Sequence, residues 1–110
     1  MSFDKITEIE RLNFMNQKLP LDLEHFLNRT SLYVTPVNRD TIVSFIHGYE
    51  IGLKNNNLTD GLKKLLANKY DIMYSSDGWP GQIYRLSERL NLTWIDTLKK
   101  LTFELIEKSN

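Results

Sequence analysis

Phe45-Ile46-His47-Gly48-Tyr49-Glu50-Ile51-Gly52-Leu53 decides the fold of this chain. With Ile42 just upstream, Phe45, Ile46, Tyr49 and Leu53 recur at the spacing that puts apolar side chains on one face of an α-helix. Inside that helix each of the two glycines costs about 1 kcal/mol relative to alanine, so a compensation is required. Gly48 and Gly52 stand one turn apart and form a smooth notch, and the expected compensation is close approach of another element. Gly48, Tyr49 and Gly52 are therefore read as residues that hold the fold.

Outward from this segment the chain continues as helices with short connections. Asn38 is a good N-cap and Asp40 places a carboxylate at the positive end of the helix dipole, so the central helix is predicted from about Asn38 to Lys54. Asn55-Asn56-Asn57 reads as a turn. Thr59 and Asp60 then open a helix that buries Leu62, Leu65 and Leu66 and ends near Lys69 or Tyr70. The run from Asp71 to Gly78, with Ser75, Ser76 and Asp77, is the longest expected surface loop. Pro80 suits the first turn of the next helix, whose stripe is Ile83, Leu86 and Leu90. Thr93 and Asp96 approximate a capping box and begin a last helix, with Trp94, Ile95, Leu98, Leu101 and Leu105 on its apolar face. Trp79 and Trp94 are expected in the core, because tryptophan buries so much area.

Towards the N-terminus, Phe3, Ile6, Ile9, Leu12 and Met15 make one apolar stripe, predicting a helix from about Phe3 to Lys18 that ends at Leu19-Pro20. A short helix from about Asp22 to Asn28 buries Leu23, Phe26 and Leu27, and Tyr33-Val34-Thr35 before Pro36 is an extended connector. The result is an all-α, single-domain bundle of about six short helices.

Composition narrows the function. The 110 residues carry 14 basic and 14 acidic side chains, so no long-range field draws the molecule to nucleic acid or anionic lipid. Absence of cysteine excludes disulfides, thiolate nucleophiles and cysteine-ligated metals, and agrees with a cytoplasmic location. Neither a signal-peptide core nor a membrane span is visible, so no membrane partner is expected. His25 and His47 lack metal-binding spacing, and no nucleophile elbow or phosphate loop occurs; no metal, cofactor or catalytic set is expected. One acid–base pair is conceivable, His47 with Glu50, because residues three apart share a helix face.

Two binding readings remain. Lys63, Lys64, Lys69, Arg85, Arg89, Lys99 and Lys100 could form a C-terminal basic face for nucleic acid, although the 83–90 segment is short of exposed base-reading side chains. Acids near exposed aromatics could instead meet a basic protein, at Asp71, Tyr74 and Asp77 in the long loop, at Asp22 and Glu24, and at Glu50 if its helix leaves it exposed.

Phe45-Ile46-x-Gly48-Tyr49-x-x-Gly52-Leu53, then Leu65 to Tyr70, Gly78-Trp79-x-x-Gln82-Ile83 and Trp94-Ile95, resemble small bacterial immunity proteins, particularly those of contact-dependent growth inhibition systems. The resemblance spans roughly residues 30–106 and implies a cytoplasmic, non-enzymatic protein. It further implies one-to-one binding and blockade of a cognate toxin domain, often a nuclease. It carries over no binding residue, since such proteins diverge where they meet their toxins.

Overall fold

The computed structural model describes residues 21–109. Within them the chain forms α1 (Leu21–Asn28), a 3₁₀ turn (Thr30–Leu32), α2 (Arg39–Leu53), α3 (Asn57–Asn68), α4 (Gly78–Leu90) and α5 (Trp94–Ser109). No strand occurs among the described residues. The helix expected over 3–18 lies outside them.

Local chemistry sets most of the ends. Asn38 Oδ1 accepts from Thr41 N–H at 3.0 Å while Thr41 Oγ1 accepts from Asn38 N–H at 3.2 Å, a reciprocal box that starts α2. Thr93 Oγ1 accepts from Asp96 N–H at 3.0 Å and starts α5. Asn91 ends α4 in the left-handed region (φ 57°), which asparagine tolerates, and Leu92 N–H closes the turn onto Ser87 O at 3.0 Å.

α3, α4 and α5 pack on one another, and α1 lies against α5. Their shared core contains Leu62, Leu66, Ile83, Leu86, Leu98 and Leu101, all inaccessible to solvent. Removing one such side chain from water contributes about 1.5–3 kcal/mol. α2 joins through Ile42 and Ile46, through Phe45 stacked on Phe26 of α1 (4.2 Å between ring centres), and through His47 edge-on to Trp79 at 6.2 Å. Tyr49 stacks on Phe45. Trp79 is buried and lies 6.3 Å from Trp94, whose Nε1–H donates to Pro80 O at 3.0 Å, so the two tryptophans pin the head of α4 to the head of α5.

The glycine notch does not do what its sequence suggests. Among the described residues nothing comes within 4 Å of a Cβ built at Gly48 or Gly52, and both face solvent. Close approach occurs instead at Gly61 of α3, where a Cβ would stand 3.1 Å from Leu105 Cδ1 of α5. A second glycine, Gly81, leaves room for the carboxylate of Asp77, which a Cβ there would meet at 1.9 Å.

Candidate functional site

The segment between α3 and α4 is an extended loop held from one side. Ile72 is its internal anchor: the side chain is buried and its N–H donates to Leu66 O at 2.9 Å. Three side chains of α4 then seize consecutive stretches of the loop's main chain. Arg89 Nη1 donates to Tyr70 O at 2.6 Å, Gln82 Nε2 to Ile72 O at 2.9 Å, and Arg85 Nη2 to Met73 O at 3.2 Å. Residues 82, 85 and 89 share one side of α4, since helical neighbours recur at three and four positions.

The far end of the loop is tied by Asp77. Its carboxylate accepts from the Ser75 hydroxyl and from Arg85 Nη1 (3.0 Å to Oδ2), and these contacts hold the acid below its ordinary pKa, the serine bond contributing most. Gly78 N–H donates to Ser75 O at 2.9 Å and turns the chain into α4. What remains outward is Met73, 67% exposed, and Tyr74, 58% exposed, with the Lys63 ammonium 4.7 Å from the tyrosine ring centre. A backbone already fixed in place has little main-chain entropy left to lose on binding.

The expected site residues thus separate. Asp71, Tyr74 and Asp77 lie on this one loop, all exposed, with Asp71 at φ 56°. Glu24 lies elsewhere, half-buried on α1, the helix that also contains Asp22. Glu50 is not available to a partner: it is 5% exposed, and its Oε2 accepts from Thr59 N–H at 3.1 Å while Oε1 accepts from the Thr59 hydroxyl. The carboxylate caps α3, whose own N-cap residue Asn56 supplies no side-chain bond. That role also separates it from His47, which is turned to Trp79. Open grooves of about 560 Å³ beside Gly61, Leu65 and Leu105, and of about 520 Å³ beside Tyr33, Asp40 and Phe45, include neither His47 nor Glu50. Among the described residues no group of three or more His, Cys, Asp or Glu could hold a metal ion, and no helix is long and apolar enough to cross a membrane.

Five side chains of the expected basic face are engaged internally, while Lys64 remains exposed on α3. Arg85 and Arg89 hold the loop, Lys63 lies over Tyr74, and Lys69 Nζ donates to Glu104 Oε1 at 2.7 Å, with Lys100 3.8 Å from the same oxygen. Sequence reasoning passed over Met73, took Gln82 only as a position of the family resemblance, and considered the two arginines for a nucleic-acid surface as the alternative reading. Spacing alone puts 82, 85 and 89 on one side of a helix, but it does not mark their side chains as holding a loop.

No protein family, characterised protein or solved structure matches this chain.

Proposed function

We propose that this protein binds a partner protein through the braced loop 71–77, and that the partner is a toxin domain neutralised by one-to-one blockade. The observation that carries the reading is the loop itself: main-chain carbonyls of residues 70, 72 and 73 are fixed by α4 while Met73 and Tyr74 point outward. A large flexible thioether and an aromatic ring on a pre-set backbone have the make-up of an interface anchor. The sequence resemblance to contact-dependent growth inhibition immunity proteins supplies the class of partner.

Co-expression and affinity capture with the C-terminal domain of any large exported protein encoded immediately upstream tests this reading. The expected result is a one-to-one complex that restores growth to cells making the toxin domain. Failure to bind an active toxin domain removes it, and binding to random duplex DNA at low salt would put a nucleic-acid function in its place.

A further inference from the structure

We infer that Asp77, Gly81 and Arg85 form a clasp that holds residues 73–77 in one pose and opens without the bundle, and that Gly81 is its seat. The three residues stand four apart, so they fall in line along one side of α4 and of the turn that leads into it. Asp77 occupies the N-cap position of α4, yet its side chain makes no capping bond. Its carboxylate lies instead over Gly81, where a Cβ would collide with both oxygens and with Cγ. From that seat it reaches Arg85, whose Nη1 donates to Oδ2 at 3.0 Å and to Oδ1 at 3.3 Å, and it accepts from the Ser75 hydroxyl. Nη2 of the same guanidinium donates to Met73 O at 3.2 Å. One arginine thus holds both ends of the 73–77 segment, and a side chain at 81 takes the carboxylate away from it.

Two features separate this clasp from the rest of the fold. The side chains of Arg85 and Asp77 are 39% and 48% exposed, and an ion pair in water contributes little, so the clasp opens far more readily than the bundle unfolds. The neighbouring grips are independent of it, since Arg89 holds Tyr70 O and Gln82 holds Ile72 O, and Asp77 takes part in neither bond. Opening is therefore confined to 73–77, the stretch that carries the exposed Met73 and Tyr74. Gly81 is a positioning residue: it is buried, and it acts through Asp77 and Arg85. The clasp belongs to the free protein, and it stands or falls separately from the toxin reading proposed above.

The test is NMR relaxation and carboxyl titration of the wild type, Gly81→Ala, Asp77→Ala and the double variant, with no partner present. Backbone order parameters at 73–76 are expected to fall from the rigid range, about 0.85, to below about 0.6 in Gly81→Ala, with those of α5 unchanged. The Asp77 carboxyl, held down in the wild type first by the Ser75 bond and then by Arg85, should titrate closer to 3.8 in Gly81→Ala. Asp77→Ala should loosen 73–76 to the same extent, and Gly81→Ala should add nothing in that background. Unchanged order parameters and an unchanged titration in Gly81→Ala overturn the inference. Further loosening when Gly81→Ala is added to Asp77→Ala also overturns it, since the glycine then acts through another neighbour. Should Gly81→Ala not fold, Asp77→Ala decides alone: a loosened 73–76 segment supports the clasp and a rigid one overturns it.

Discussion

Glu50 caps a helix it does not belong to: from the last turn of α2 its two carboxylate oxygens take the backbone N–H and the hydroxyl of Thr59 in the first turn of α3. The turn at Lys54, Asn55 and Asn56 thereby closes over a buried carboxylate placed at the positive end of α3. Glu50→Ala is expected to lower stability by about 1–2 kcal/mol, the range for a lost cap, as read by chemical denaturation. An unchanged midpoint combined with lost toxin binding would return Glu50 to the interface.

The glycines give an ordering. Gly48→Ala and Gly52→Ala each remove backbone entropy and meet open space, so each is expected to stabilise by up to about 1 kcal/mol. Gly61→Ala carries the same helical gain but presses on Leu105, and should stabilise less than Gly48→Ala or destabilise. Thermal midpoints of the three variants decide the matter; Gly61→Ala as the most stabilising of them would contradict the packing described.

Glu104 couples α5 to the end of α3. Burial alone raises its pKa, but hydrogen bonds from Lys69 and from the Tyr70 hydroxyl (2.8 Å) outweigh that and hold it below its ordinary value of 4.5. A lowered folded pKa means stability that is complete above 4.5 and lost as pH falls through the folded value. The stability difference between wild type and Glu104→Gln should therefore be constant at neutral pH and shrink as pH falls below 4.5 through the lowered folded value. Tyr70 has the opposite sign: burial, then its bond to Glu104, raises its pKa above 10.0, so its contribution persists to that pH and is lost as pH climbs further.

Arg85→Ala and Arg89→Ala should loosen the loop without unfolding the protein, because the two guanidinium groups act at its rim. Amide exchange at residues 73–76 is expected to quicken by roughly tenfold while core amides of α5 keep their protection. Equal acceleration in both regions would show that the arginines hold the bundle rather than the loop.

The parts of this fold legible in the sequence are those whose cause is local. Asn38 meets Thr41 and Thr93 meets Asp96 within one turn, so their caps could be read from spacing. The serine- and glycine-rich segment marked a loop for the same reason. Glu50 and Thr59 meet only after two helices fold back on each other, and no property of glutamate announces it. The glycines make the same point. Whether a glycine admits a neighbour depends on that neighbour, and Leu105 is on a different helix from Gly61. Arg85 and Arg89 carry no mark in sequence that distinguishes a grip on a carbonyl from a solvated charge.

The grip exerted by Gln82, Arg85 and Arg89 falls on main-chain oxygens, and those are chemically the same whichever residue carries them. The shape of the outward segment is thus written in α4, while its message is written at 73, 74 and 76. Substitutions at those exposed positions change the side chains presented while the scaffold goes on holding them in the same pose. If the loop is the binding face proposed above, such a division of labour lets recognition change through a few side chains, with the bundle beneath left as it stands.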